Sequence, residues 1–365
     1  MSYAIAPQNK ITATLDTFNG RRVLFILTVI AIGLAFLVVV LGAFTRLQDA
    51  GLGCPDWPGC YGHITWPSSA QDVSAAEARF PDAPVEHDKT WPEMVHRYFA
   101  GGLGLLILAI AILSVYWQSQ KHDHSISMSA RLPQKLPIFL VALVVLQAAF
   151  GMWTVTLKLW PQVVTAHLLG GFATLSFLCL LMQRLSRWRW TVRAQQKLVG
   201  KQLALLVLIV VVLQIALGGW TTSNYAAMAC PDLPTCHGKW WPQADFIQGF
   251  NVLQHVGPNY LGGLLDNHAR TAIHLTHRMG AIVVALLVIG LALRLWFFSS
   301  TQCRPLVVIL LTALFVQICL GLSNVYWVLP LPVAVAHNAC GAFLLMVLVT
   351  INHRLRTAKF QPVEK

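Results

Sequence analysis

The chain has 365 residues, 56% of them hydrophobic and 11% charged, with a formal net charge of +12. A soluble domain carries about 25% charged residues, so a soluble globular protein is excluded. Excess Lys and Arg points to nucleic acid when it forms one patch; here it is scattered over short loops, and no nucleic-acid partner is expected.

A helix that crosses a bilayer needs about 20 mainly apolar residues. Eight runs qualify: 23–45, 94–117, 136–157, 163–183, 203–222, 272–295, 305–326 and 332–352. None alternates polar and apolar residues as barrel strands do, and lipid otherwise admits only helices. The expected fold is an all-α membrane protein, with eight transmembrane helices forming two tandem four-helix bundles related by a pseudo-two-fold axis.

The first 20 residues lack an apolar core, which argues against a cleaved secretory signal. They read instead as a cytoplasmic segment, 1–21. With that end inside, 18 Lys and Arg fall inside and 8 outside, against 3 and 11 Asp and Glu. Lys and Arg mark the cytoplasmic side. Arg184, Arg187, Arg189, Arg193, Lys197 and Lys201 place the 184–202 loop there. Both termini are then cytoplasmic, and a bacterial inner membrane is the simplest location.

The first run ends in LGAFTRLQDAGLGCPDWPGCYG and the fifth in LGGWTTSNYAAMACPDLPTCHG. The third leads through LQAAFGMWTVTLKLWPQVVTAHLLGG and the seventh through VQICLGLSNVYWVLPLPVAVAHNACG. This is a tandem repeat of four helices. An even number of spans per copy leaves both copies in one orientation, as in parallel repeats about the membrane normal. The expected division is an N-terminal bundle at 22–185, a basic linker at 186–202, a C-terminal bundle at 203–353 and a cytoplasmic tail at 354–365. The connections 46–93 and 223–271 are long and fall outside; loops of that length are often functional.

Each copy carries two histidines near the outer end of its helices: His96 and His167, then His277 and His337. Facing helices of a bundle are where metal and cofactor sites are built, and paired imidazoles suit a haem iron. Four residues after each stands a small one, Ala100, Gly171, Ala281 and Gly341. It shares the helix face and leaves room for a flat macrocycle. A single intramembrane histidine reads equally well as a hydrogen-bonded core residue or a proton relay, and small residues also serve close helix packing. Four in register favour ligation. Zinc is disfavoured, because Glu93 is the only carboxylate or Cys partner on these helix starts.

Glu93 precedes His96 by three residues and shares its face; its counterpart in the second copy is His274. A carboxylate at a helix start is also favoured by the dipole alone. The difference suggests one chemical site and one electron-carrying site. Arg97 and Arg278 suit haem propionates or plain snorkelling to the headgroups. Cys54 with Cys60, and Cys230 with Cys236, are spaced alike with Pro between. Outside an inner membrane each pair is expected to form a disulfide, structural or redox-active. Cys179, Cys303, Cys319 and Cys340 read as small hydrophobes.

Taken together, Glu93-x-x-His96, His167, His274-x-x-His277, His337 and the paired loop cysteines resemble the haem A synthase family, from about Arg22 to Arg354. The resemblance implies oxidation of the C8 methyl of haem O to a formyl group. It implies a haem b cofactor in the C-terminal half on His277 and His337. It also implies a haem O pocket in the N-terminal half, with His96 and His167 at the iron and Glu93 by the reacting group. His274, Arg97 and Arg278 fall in the haem-binding set, and Cys54 and Cys60 match the family's functional pair. Implied partners are the substrate, a haem O synthase, terminal-oxidase assembly factors and membrane lipid; a homo-oligomer is left open. Two other readings stand beside this one: a di-haem b-type quinol-oxidising cytochrome and a non-enzymatic haem carrier. The first gives Glu93 and the cysteines no task, and the second does not explain Glu93 against His274. His63, His87, His237, His255 and His268 lie in the outer loops and read as surface residues.

Overall fold

The computed structural model describes residues 8–119, 132–186, 188–192, 194–298 and 300–360. Among the described residues eight helices are long and apolar enough to cross a membrane. In chain order the elements begin with α1 (Gln8–Leu47), the short α2 (Ala70–Arg79), α3 (His87–Ser119), α4 (Lys135–Thr156) and α5 (Pro161–Leu185). They continue with α6 (Ala194–Ser223), the single turn α7 (Phe246–Gly249), α8 (Asn267–Phe298), α9 (Arg304–Tyr326) and α10 (Leu331–Thr357). Side chains such as Leu105, Val145, Leu286 and Phe315 stand exposed on the outer faces of these helices. Helices apolar all round belong in lipid, so this is a multi-pass membrane protein.

Within the first half α1 packs on α3 and α5, and α4 on α3 and α5. The second half repeats this: α6 packs on α8 and α10, and α9 on α8 and α10. Between the halves, α1 meets α10, α6 meets α5, and α5 meets α10. Exchanging the two halves maps this set of contacts onto itself, which is what an isologous interface requires. One continuous apolar core runs through both halves, from Leu24 and Leu175 to Leu291 and Leu348.

The backbone repeats in detail. Left-handed residues stand at Asp49 and Tyr225, at Tyr61 and His237, and at the pairs Lys158-Leu159 and Val328-Leu329. A left-handed non-glycine residue costs roughly 1–2 kcal/mol, so matched sites of this kind mark turns that both halves need. The last two pairs close α4 and α9, where Leu159 N donates to Thr154 O and Leu329 N to Asn324 O. They aim α5 and α10 back into the bundle, led by Pro161 and by Leu331-Pro332.

Three expectations about boundaries change. Helix α3 starts at His87 and α8 at Asn267, well before the apolar runs, so Glu93 and His96 lie inside a helix rather than at its start. Their first turns are polar and hydropathy does not see them. Helix α1 extends back to Gln8, into the segment read as a tail. At the opposite end the linker and tail are more than connectors: β1 (Thr191–Val192) pairs in parallel with β2 (Lys359–Phe360). Arg187 and Arg193 of the basic run lie outside the described residues.

Candidate functional site

Both cysteine pairs are bonded, Cys54 to Cys60 and Cys230 to Cys236. Each loop turns about its aspartate. Asp56 accepts from Tyr61 N (2.6 Å) and Gly62 N (2.8 Å). Asp232 accepts from His237 N (2.7 Å), Gly238 N (2.9 Å) and the Thr235 hydroxyl (2.5 Å). Those bonds, the Thr235 hydroxyl foremost, pull the Asp232 carboxyl down to about 2. Gly59 replaces Thr235 in the first loop. In that loop burial, with Glu86 adding to it, pushes the Tyr61 phenol up to about 12.

An arginine from the following helix plugs each loop. Arg97 Nη1 donates to the carbonyls of Asp56 (3.1 Å), Pro58 (3.2 Å) and Gly59 (2.5 Å). Arg278 donates to those of Asp232 (2.9 Å), Thr235 (2.9 Å) and Cys230 (2.6 Å). Neither guanidinium is spread at the surface for snorkelling. One turn earlier sits the residue that differs. Glu93, 5% exposed, accepts from Cys54 N (2.9 Å) and pairs with Arg97. His274, also 5% exposed, accepts from Cys230 N through Nδ1 (3.2 Å) and meets Arg278 Nε through Nε2 (3.3 Å). Carboxylate and imidazole thus occupy one seat, bracing the loop against the helix.

The four remaining histidines lie one turn deeper. His96 on α3 and His167 on the second turn of α5 face each other, ring centroids 6.5 Å apart and planes at 88°. His277 on α8 and His337 on α10 occupy the matching places in the second half. All four rings are half-buried. A glycine packs against each: a Cβ at Gly42 would come within 2.9 Å of His96 Cε1, and at Gly218 within 3.3 Å of His277 Cε1. At Gly321 it would come within 3.1 Å of His337 Cε1, and at Gly151 within 3.6 Å of His167 Cε1.

These features fit a porphyrin iron. Two iron–imidazole bonds of about 2 Å on opposite sides of one metal leave ring centres roughly 6–7 Å apart, the separation of His96 and His167. Buried Nδ1 atoms of His96, His167 and His337 have no hydrogen-bond partner, and buried polar groups seldom lack one. Among the described residues no three His, Cys, Asp or Glu side chains converge on a metal-sized point. A macrocycle that brings its own four nitrogens needs only a pair. Space beside the ring is kept at Gly171, where a Cβ would meet only Val39, at 3.9 Å.

Residues that sequence reasoning left without a role also line the site. Gln214 reaches His277, and Gln317 Nε2 lies 3.3 Å from His337 Nε2. The glycines at 42, 151, 218 and 321 stood at matched places in the repeat, and that register was the available signal. The long connection of the second half lies across the first: Tyr260 N donates to Lys158 O (3.0 Å), Trp160 Nε1 to Gln254 O (3.1 Å) and Gln162 Nε2 to Val252 O (2.9 Å). It covers the start of α5, the helix that carries His167.

Fold and site together define a duplicated membrane bundle with an inward histidine pair and a disulfide loop in each half. Residues 25–349 match COX15-CtaA, described as cytochrome oxidase assembly protein, and the chain belongs to that family. Among its relatives is the heme A synthase of Shewanella oneidensis, 49% identical over 320 residues, covering 87% of this chain and 92% of that one. Proteins of the same name from Parvibaculum lavamentivorans and Caulobacter vibrioides are 26% and 25% identical. They cover 88% and 94% of this chain, and 91% and 99% of their own lengths.

Proposed function

We propose that this protein is a haem A synthase, an oxidoreductase that converts the C8 methyl of haem O to a formyl group by two successive oxidations. The observation that carries the reading is the separation of the His96 and His167 rings, 6.5 Å, inside a family whose relatives bear that name. The first half, 22–185, holds the substrate, with His96 and His167 at its iron. The second half, 203–353, holds haem b through His277 and His337. Bound there, haem b supplies one-electron chemistry, with a potential set by its axial ligands and burial.

The protein's own groups do the rest. Glu93 sits one turn from His96, oriented by Arg97 and Cys54 N, and among the described residues is the one buried carboxylate near the pair. Its role is to take up protons released at the methyl carbon or to stabilise positive charge there. The Cys54–Cys60 and Cys230–Cys236 loops hold the mouths of the two halves, and the 250–265 segment shields the first from water. Arg97 and Arg278 act chiefly as loop anchors, with the rims of the haems within the same neighbourhood. The site lies toward the outer face of a bacterial inner membrane, the orientation that the distribution of Lys and Arg supports. A haem O synthase as supplier and terminal-oxidase assembly as consumer follow from the chemistry.

Expressing the protein with a haem O synthase and separating the extracted haems tests this directly. Haem A is expected only when both are present. Haem b and haem O with no haem A would discard the synthase reading.

A further inference from the structure

The two long outer connections differ in composition. Residues 63–90 carry seven Asp, Glu, Lys and Arg side chains, whereas 238–265 carry two, Lys239 and Asp245. The first folds on its own half: Ser69 and Asp72 form a capping box at α2, and the Tyr61 hydroxyl donates to Pro84 O (2.9 Å). The second crosses from one half to the other, beside the junction of α5 with α6. Its α7 packs on α8, and Trp220 Nε1 donates to Gly249 O (2.8 Å). Further on, Gln254 Nε2 donates to Asn224 Oδ1 (3.1 Å), and the chain is tied to Lys158, Trp160 and Gln162. These anchors stand at the limits of two spans, since that of α5 begins at Pro161 and that of α6 ends at Ser223. The connection therefore lies at the depth where the helices leave the membrane.

The side chains it turns outward are apolar. Ile247 is 90% exposed, Leu253 82% and Trp240 76%, with Trp241, Val252 and Leu264 exposed beside them. Exposed apolar patches mark interaction surfaces, and Trp is enriched where membrane meets water. At the matching depth of the second half, the turn after α9 leaves Tyr326, Trp327 and Val328 exposed. Apolar exposure at this level is thus common to both halves and continues the lipid-facing surface of the spans. We propose that residues 240–264 form an interfacial strap, its exposed face seated among the headgroups of the outer leaflet. Lipid is the occupant because the strap is nearly free of charge, is level with the ends of the spans and presents a tryptophan pair. An apolar face lying in the plane of the interface needs no transmembrane segment of its own.

The test uses the full-length protein in nanodiscs of phosphatidylethanolamine and phosphatidylglycerol. Cys319 and Cys340 are first replaced by Ala, and a nitroxide is attached at Ile247→Cys or Leu253→Cys. Ala75→Cys on α2 is the reference for water, and Leu286→Cys on α8 the reference for lipid. Collision with oxygen, which concentrates in lipid, is compared with collision with a water-soluble nickel chelate. Labels at 247 and 253 are expected to favour oxygen several-fold more than the label at 75, approaching the label at 286. A label at either strap position that matches position 75 would place the strap in water and overturn the proposal. A label shielded from both reagents would overturn it too, since a second copy or another protein would then cover that face.

Discussion

The two halves share a backbone down to their left-handed turns and cysteine loops, yet differ where side chains meet the histidine pairs. Glu93 stands where the second half has His274, Val38 where it has Gln214, and Phe99 where it has Gly280. The surroundings of the pairs are common: the glycines on the rings, the arginine plug, the proline-led return of α5 and α10. What differs is protonic and polar. Duplication supplied one helical frame twice, and on the proposed function a few residues divide the work between the copies.

The largest expected effect is at Glu93. Glu93→Gln keeps the seat at Cys54 N but removes the charge, and general acid–base groups contribute typically 10²–10⁴-fold. Formyl formation, followed as haem A yield, should fall by about that factor while the low-spin spectrum persists. An unchanged yield would remove Glu93 from the chemistry and make the two seats equivalent.

Next come the plugs. Removing Arg97 strands a buried carboxylate, and a buried charge left alone costs about 3–5 kcal/mol. Removing Arg278 leaves only a neutral imidazole and loop carbonyls, at about 1–3 kcal/mol. Thermal unfolding in detergent should therefore rank Arg97→Ala well below Arg278→Ala. Equal melting temperatures would show that Glu93 and His274 are electrostatically alike.

The smallest effect separates the loops. Asp232 has its carboxyl lowered to about 2 from 3.8, chiefly by Thr235, which the first loop lacks. A depressed carboxyl stabilises the folded loop above its unfolded value and loses that contribution as pH falls through the folded one. Order of the second loop, read by amide exchange of His237 and Gly238, should survive to about pH 4 and fade toward 2. Thr235→Gly should shift the fading upward; no shift would leave Thr235 without a part in it.

Much of this was legible in the sequence. The spans, the repeat, the four histidines and both disulfides follow from apolar run lengths and matched spacing. The starts of α3 and α8 were not, because their polar first turns carry no hydropathy signal. Glu93 was legible as distinct from His274, but its partnership with Cys54 and Arg97 depends on a loop folding back over 39 residues. Gln214 was hidden for a similar reason: a glutamine in an apolar run says nothing of which ring it touches. The pairing of β1 with β2, and the 250–265 segment lying on the first half, join stretches with no shared pattern.

The division of labour is tested most directly by the low-spin haem spectrum of the purified protein after replacing one histidine in each half. The account predicts that His277→Ala or His337→Ala abolishes the resident signal, whereas His96→Ala or His167→Ala keeps it and stops haem A formation. A resident signal that survives in His277→Ala and disappears in His96→Ala would contradict it.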